Sequence, residues 1–365
     1  MVKLNLVERK PVSGLAREKR PELGVIEALS GGLEGALRHP WLLLIPLLLD
    51  LFLWVGPRLE APALYQRLEP NLRQMTVEMS SSTARLAAQE LGALVKDFFA
   101  QYNLFSALSV GLVGVPVANA GLHAFPPDGP WPPVWLVGAA DAYLLVITAA
   151  TLAGLLLSAM YWTLLGGHVR GERFATRRWL RDSWRMWKPL VLLLLCLVAA
   201  VFMSIFPLSM VMMTMSVISP ALASLAPLLA LAFLTWIIFV AIFTPHGLAL
   251  YRTSLGQAVR ISTLVVRYNF ASTLGLTVLV IAISMGMGLI WDGIPFDSLW
   301  RIVAMAGSAI VGTGLILASL LYYQNRSVLL YERFHWPLPG QTGHPTPSST
   351  TPSSTPPSST PHQQP

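Results

Sequence analysis

The sequence predicts an all-α bundle of six membrane-spanning helices. Hydrophobic residues make up 54% of the 365 residues and charged residues only 12%, about half the charged fraction of soluble domains. The mean hydropathy of +0.59 also excludes an ordinary soluble domain. Six apolar runs are long enough to cross a hydrocarbon core roughly 30 Å thick. They are residues 36–57, 138–165, 187–209, 221–250, 271–291 and 299–323.

The charges between these runs predict the orientation of the chain. With six spans, 19 of the 25 Lys and Arg residues lie in segments on one side of the membrane. The short connections on the other side, 210–220 and 292–298, contain two Asp and no basic residue. Because basic segments stay in the cytoplasm, we expect a multi-pass protein of the cell membrane with both termini inside. This distribution accounts for the net charge of +7, so no nucleic-acid partner is expected.

The chain divides into three parts. Residues 1–35 are expected to form a cytoplasmic segment with an interfacial helix, and residues 36–325 the membrane domain. Inside that domain, residues 58–132 form an external insertion. Its apolar residues at helical spacing predict two amphipathic helices that form a lid over the outer face. Residues 337–365 repeat Pro-Ser-Ser-Thr, a composition that predicts a disordered tail.

One apolar stretch within the insertion is ambiguous. Residues 103–125 are uncharged but interrupted by three Gly and one Pro. Counting this stretch as a seventh span would move the basic segment 166–188 to the outside, against the charge rule. We therefore expect a re-entrant or interfacial segment covered by protein, because irregular backbone at membrane depth needs hydrogen-bond partners.

Three ionisable residues form a candidate intramembrane site. Asp50 and Asp141 are the two acids in the apolar runs, and Arg301 lies near the start of the last run. An unpaired charge at this depth costs at least about 2.5–3.5 kcal/mol, so these residues are candidates for function. The two carboxylates can share a proton, bind a cation or relay protons. Alternatively, Asp141 caps its helix, Asp50 bonds a nearby amide, Trp or Tyr, or one of them pairs with Arg301.

A second candidate site is a basic, Trp-rich segment that follows the second run. Such segments anchor the chain to anionic lipid heads at the membrane interface. The expected anchor residues are Arg177, Arg178, Arg181, Arg185 and Lys188.

Small residues recur at every fourth position in the last run. Examples are Ala304, Ser308 and Gly312, and then Gly314 and Ala318. This spacing predicts that neighbouring helices approach the last helix closely.

No metal, cofactor or catalytic residue is assigned from the sequence. His39, His168 and His246 all fall at the predicted cytoplasmic boundary, but no two of them have the i, i+4 spacing of a helical metal site. The Met residues between 210 and 215 are typical of adaptable apolar packing. The chain also has no HExxH, P-loop, CxxC or GxSxG motif. The sequence therefore favours a non-enzymatic protein over an enzyme, without deciding between them.

Two segments carry a resemblance to known proteins. They are Leu180–Leu195 (LRDSWRMWKPLVLLLL) and Ser254–Leu279 (SLGQAVRISTLVVRYNFASTLGLTVL). They resemble uncharacterised six-span bacterial membrane proteins, which are similar to the membrane domain associated with glycerophosphoryl diester phosphodiesterases. The resemblance covers roughly residues 140–325 and implies a six-span fold. It implies no site residues, and no segment here is large enough for the phosphodiesterase domain.

Three functional hypotheses follow from the sequence. The leading one is a non-enzymatic membrane component, either transport-like or accessory to lipid or protein handling, with membrane lipids as partners. The second is a membrane enzyme that uses Asp50 and Asp141 on a lipid-linked substrate. The third is a scaffold that binds protein partners through residues 58–132 or through the tail.

Overall fold

The computed structural model describes residues 22–78, 82–110, 113–120, 133–219, 225–295 and 298–334. Most of the predicted N-terminal segment and the whole predicted tail lie outside these residues. The described chain is almost entirely α-helical. Its helices are α1 (Val25–Arg38), α2 (Leu44–Val55), α3 (Pro62–Glu78), α4 (Ser82–Gln101), α5 (Ala140–Val169), α6 (Thr176–Ile218), α7 (Leu225–Tyr251), α8 (Leu255–Tyr268), α9 (Phe270–Asp292) and α10 (Arg301–Phe334).

Five of these helices, α5, α6, α7, α9 and α10, are long and apolar enough to cross a membrane. They include the described parts of the last five runs that the sequence predicts, except for residues 138–139 and 299–300. A sixth span is present if α1 and the helical segment after it are counted as one bent span. The described chain is therefore an all-α, polytopic membrane protein with five or six candidate spans.

The first predicted span, 36–57, is not one straight helix. Helix α1 ends at Arg38, and the chain continues as a short 3₁₀-helix, Pro40–Leu43, and then as α2. The two parts meet at an angle of 92°. Because a proline disfavours the helical conformation of the residue before it, His39 adopts φ −126° and ψ 68°. The part after the bend is about 26 Å long, slightly shorter than a typical hydrocarbon core.

The third predicted span is part of a much longer helix. Helix α6 has 43 residues and contains both the basic segment from Thr176 and the apolar run 187–209. The amphipathic start and the membrane span are thus continuous. In contrast, α8 and α9 are separated at Asn269.

Helix α1 packs closely along the C-terminal half of α10. A Cβ atom at Gly32 would lie 2.3 Å from the Gly314 carbonyl oxygen and 2.4 Å from the Ala318 nitrogen. No side chain fits at this distance, so Gly32 lets the two backbones meet. Helix α1 therefore packs against Gly314 and Ala318, two of the small residues in the last predicted run.

The insertion contains two helices, α3 and α4, and a small apolar core of its own. Strands β1 (Arg58–Glu60) and β2 (Val134–Leu136) pair in parallel and connect the base of the insertion to the start of α5. Leu59, Leu64 and Leu104 are buried beside them. The sequence did not predict these strands, because three residues are too few for an alternating pattern.

No membrane-spanning helix is found in the described part of residues 103–125. A 3₁₀-helix, Leu104–Ser109, packs on α5. Residues 113–120 follow without regular structure, and several of them are buried. Residues 111, 112 and 121–125 lie outside the described chain. The remainder is a non-helical segment inside the bundle, which we call the buried loop (residues 113–120).

The contact between α1 and α10 leads to a first prediction. Gly32→Ala should lower the free energy of unfolding by roughly 2 kcal/mol, because the new methyl group overlaps backbone atoms of α10. Gly275→Ala is the matched control, since a Cβ at this helical position has no atom within 4 Å. Thermal unfolding of both variants in the same detergent measures the difference. Equal midpoints would show that the close contact does not contribute to stability.

Candidate functional site

The Asp50 carboxylate is fully buried and binds the buried loop. Helix α2 carries this residue, and its side chain has no exposed surface. Its two oxygens accept hydrogen bonds from the backbone N–H groups of Ala118 and Asn119, each at 2.8 Å. The sequence left open whether Asp50 acts together with Asp141, pairs with Arg301 or bonds a nearby amide, Trp or Tyr. The geometry corresponds to hydrogen bonds with nearby amides.

Arg301 joins the same network through Asn119. Its side chain, at the first residue of α10, is 1% exposed. Its Nε atom donates to Asn119 Oδ1 at 2.8 Å, while one of its terminal nitrogens donates to the carbonyl oxygens of Trp291 and Ile294. The positive charge lies close enough to interact with Asp50 and Asp292. The network therefore combines opposite charges with well-placed hydrogen bonds, as a buried ion requires.

Asp141 is not part of this network. It lies in the first turn of α5, one residue after the helix begins, and its side chain is exposed. A negative charge at this position interacts favourably with the partial positive charge of the helix N-terminus. The structure thus brings Asp50 and Arg301 into one network and leaves Asp141 at an exposed helix start.

Sequence reasoning missed Asn119, which connects the two charged residues. Residues 103–125 were identified as irregular and in need of partners, and Asp50 as a carboxylate in need of donors. Both needs are met at once when the carboxylate accepts hydrogen bonds from the backbone amides of the irregular segment. The side chain of Asn119 could not be singled out, because nothing in its sequence neighbourhood distinguishes it.

The buried loop has two further contacts that hold it between helices. The indole Nε1 of Trp162 on α5 donates to the Val113 carbonyl oxygen at 2.8 Å. On the other side, a Cβ at Gly312 of α10 would lie 2.4 Å from Pro116 Cβ. The absence of a side chain at Gly312 therefore makes room for the loop. The sequence pattern had suggested that a neighbouring helix packs at this position.

The loop forms one wall of a cleft with a volume of about 360 Å³. The other walls are residues 242–246 of α7, 276–284 of α9 and 312–319 of α10, together with Trp162. Helix α9 packs on α10 and α8 and contacts α7 at its own first residue, where the centroid of the Phe270 ring lies 6.2 Å from that of Phe239. Farther along α9, the cleft lies in the gap between α7 and α9. The volume falls in the range of small-molecule binding sites.

The described lining of this cleft is apolar with a few neutral polar groups and no Asp, Glu, Lys or Arg. His246 is 3% exposed, and its Nε2 lies 2.7 Å from Ser319 Oγ. Thr277 and Ser284 of α9 are the other hydroxyl groups. Such a lining suits an apolar molecule that carries an uncharged polar group.

The three histidines do not form a cluster. The rings of His39 and His168 are 4.3 Å apart, whereas His246 bonds Ser319 in the cleft. Among the residues that the structure describes, no group of three or more His, Cys, Asp or Glu residues is placed to hold a metal ion. In the Met-rich stretch, Met210 and Met213 are exposed on α6.

The predicted lipid-anchor residues lie on one face of the first turns of α6. At 100° per residue they fall within an arc of about 100°, and all of them are exposed. They are Arg177, Arg178, Arg181, Arg185 and Lys188. The Trp184 and Trp187 rings stack nearby, with centroids 4.9 Å apart, which is typical of an interfacial anchor.

Ion pairs connect this end of α6 to the ends of α5 and α7. Glu172 bonds Arg170 at 2.8 Å and Arg252 at 2.7 Å, and Asp182 lies 2.8 Å from Arg252. Partial burial raises the pKa of the Glu172 carboxyl, but the hydrogen bonds and charges of the two arginines outweigh burial and hold this pKa below its usual range. We call this region the basic end of the bundle (residues 170–188 and 252–253).

Comparison with protein-family models, curated proteins and solved structures finds no match for this chain. The assignment of a function therefore depends on the geometry of the sites described above.

The Asp50 network leads to a second prediction. Asp50→Asn should lower the free energy of unfolding by about 2–4 kcal/mol, because one loop N–H then faces the amide N–H group of Asn and Arg301 loses one of its two nearby counter-charges. Asp141→Asn should lower the free energy of unfolding by less than about 1 kcal/mol, since Asp141 is exposed and loses only its interaction with the helix N-terminus. Thermal unfolding of the purified variants measures both effects. If the two substitutions have the same effect, Asp50 does not hold the loop.

Proposed function

We propose that this protein is a non-enzymatic component of the cell membrane that admits a membrane-resident amphipathic molecule sideways into the cleft between α7 and α9. The observation that carries the proposal is the cleft of about 360 Å³ at the gap between these two helices. This function belongs to the transport-like or membrane-accessory class that the sequence favours.

The surroundings of the cleft support a membrane-resident ligand. Helices α7 and α9 are both candidate spans, and α9 exposes large apolar side chains such as Val278, Ile281 and Met285. Surfaces of this kind face lipid, so the bilayer lies directly beside the opening. A molecule that enters from this side comes from the membrane rather than from water.

The described cleft lining has no charged group. This supports a ligand whose apolar part lies in the cleft while any charged head group stays outside. The apolar part gains from burial, and a neutral polar group can bond His246 or the cleft hydroxyls. A charged head group inside would lack a counter-charge and is therefore expected to stay outside the cleft.

The geometry does not favour the hypothesis of an enzyme that uses two carboxylates. The oxygens of Asp50 already accept bonds from two loop amides, and Asp141 is exposed at the start of α5. No shared proton or cation joins acids placed in this way. The same observation argues against a proton relay between them.

The scaffold hypothesis has one observation in its favour. Helix α4 exposes apolar side chains along its length, among them Leu86, Leu91 and Leu94. A protein partner that binds α3 and α4 is therefore our second candidate function. The tail, to which the same hypothesis assigns a role, lies outside the described residues.

The proposal includes six spans, both termini in the cytoplasm and the α3–α4 insertion as an external lid. The supporting observation is the concentration of basic residues at segments 166–188 and 251–269, which the charge rule assigns to the cytoplasm. The resemblance to six-span bacterial membrane proteins belongs to the same proposal and concerns the fold alone.

Cysteine labelling tests the orientation. In a Cys196→Ser background, an impermeant thiol reagent should label Gln89→Cys in intact cells and should label Arg173→Cys only after the membrane is opened. Both positions are exposed, so access depends on the side of the membrane. Labelling of Arg173→Cys in intact cells would overturn the proposed orientation.

Photo-crosslinking tests the cleft. A phosphatidylethanolamine with a diazirine in its acyl chain should crosslink to Phe243 and Leu315, which line the cleft and are only 2% and 3% exposed. Lipids around the bundle do not reach these residues. Ile281→Trp should reduce the crosslinks several-fold by filling the cleft.

Val278→Trp is the matched control for this experiment. Val278 and Ile281 both lie on α9 and are 56% and 49% exposed, but only Ile281 lines the cleft. Crosslinks at Phe243 and Leu315 should persist in the Val278→Trp variant. If neither residue crosslinks in the wild-type protein, or if both variants behave alike, the proposed function fails.

A further inference from the structure

We infer that a pocket at the basic end of the bundle, lined by Arg170, Arg185, Arg252 and Thr253, binds a phosphate group. We call it the arginine pocket. It has a volume of about 80 Å³ and lies between the end of α5, the first turns of α6 and the residues that follow α7. This inference does not rest on the cleft or on the function proposed for it.

The charges around the arginine pocket leave it positive. Three arginines line it, together with one acid, Asp182. Asp182 is paired with Arg252, and the nearby Glu172 is shared by Arg170 and Arg252. The acids thus neutralise two of the three positive charges and hold two of the guanidinium groups in place. An anion in the pocket would meet arginines that are already oriented, which reduces the entropy lost on binding.

The backbone at Arg252 supports a role for its side chain. Arg252 has φ +51°, a left-handed conformation that usually belongs to Gly when it ends a helix. Its N–H bonds the Leu248 carbonyl oxygen, as at an ordinary helix end. An arginine at this position costs more than a glycine would. Its side chain, however, reaches Glu172 and Asp182 on two other segments, and a glycine cannot replace those contacts.

A buried hydroxyl group in the pocket supports an oxygen-rich ligand. The Oγ1 atom of Thr253 is buried and has no hydrogen-bond partner in the part of the chain that the structure describes. A phosphate oxygen would accept a hydrogen bond from this hydroxyl group, and the remaining phosphate oxygens would accept hydrogen bonds from guanidinium N–H groups. Donors converging from three segments suit a tetrahedral anion better than a planar carboxylate.

The position of the arginine pocket indicates two sources for the phosphate. The candidate spans α5 and α7 end at Val169 and Tyr251, so the pocket lies at the level where a membrane has its lipid head groups. A phospholipid head group and a soluble phosphate compound share the chemistry that this pocket recognises. The experiment therefore includes both.

The test uses the full chain in a neutral detergent at constant ionic strength. Thermal unfolding is followed against increasing dihexanoyl phosphatidic acid, dihexanoylglycerol or sodium phosphate. A ligand that binds the folded state raises the midpoint in a saturable way. We expect saturation with phosphatidic acid and no response to dihexanoylglycerol, which lacks the phosphate. Saturation with sodium phosphate at a similar concentration would indicate a soluble ligand, and its absence a lipid.

Two variants and a control test the location. Arg185→Gln should weaken the apparent affinity for phosphatidic acid about tenfold, because it removes a charge-assisted donor from the pocket. Arg267→Gln removes the same charge from an exposed position on α8, outside the pocket and outside the predicted lipid anchor, and should change the affinity less than twofold. Thr253→Val keeps the side-chain volume and should weaken binding several-fold.

Several outcomes would overturn the inference. They are a lack of saturation with both phosphate-containing probes, an equal response to dihexanoylglycerol, and equal losses in the Arg185→Gln and Arg267→Gln variants. If Arg185→Gln does not fold, Thr253→Val decides between a phosphate site and a general attraction to basic residues. Crosslinking in the cleft is measured separately, so failure of this site leaves the proposed function unaffected.

Discussion

The bond between the Asp50 carboxylate and the amides of residues 118 and 119 is the interaction on which the rest of the bundle depends. Backbone without regular structure is tolerated between membrane helices only where its polar groups find partners in the protein. Asp50 provides two acceptors, Trp162 provides a donor for the Val113 carbonyl, and Arg301 bonds the side chain of Asn119. The buried loop can therefore lie between α5 and α10, where it forms a wall of the cleft.

The cleft also depends on how the start of α9 is held against α10. Tyr322 of α10 contacts Ser272 and Thr273 at the start of α9, with oxygen–oxygen distances of 2.6 and 3.1 Å. The next residue, Tyr323, contacts Ser262 of α8 at 3.1 Å. Two adjacent tyrosines thus hold both sides of the break at Asn269. Beyond its first residue, whose ring contacts Phe239 of α7, most of α9 is exposed, and the cleft lies between this part of the helix and α7.

The sequence predicted the helices well because hydrophobic length is a local property. Runs of about 20 apolar residues lie within α5, α6, α7, α9 and α10. Such a run can be recognised without knowing which other helices pack against it. The 92° bend at His39 was missed, although Pro40 carries a local signal for it. The connection between Asp50 and Asn119 spans 69 residues, and no spacing rule reaches so far. The four-residue spacing of small residues predicted close approach at 312 and 314. Their partners, the buried loop and α1, depend on the tertiary fold.

The distribution of charge separates two kinds of recognition in this molecule. Inside the bundle, the charges of Asp50 and Arg301 belong to one network and the described cleft lining is neutral. A translocated ion would have to displace bonds that hold the buried loop, so this interior is suited to structure and to uncharged ligands. At the basic end, the arginines exceed the acids that pair with them, and several are exposed. Coulomb attraction is therefore available at this end, where the apolar spans end. An amphipathic molecule has the same division between an apolar chain and a charged head, which is why we propose an apolar ligand site in the cleft and a separate phosphate site at the basic end.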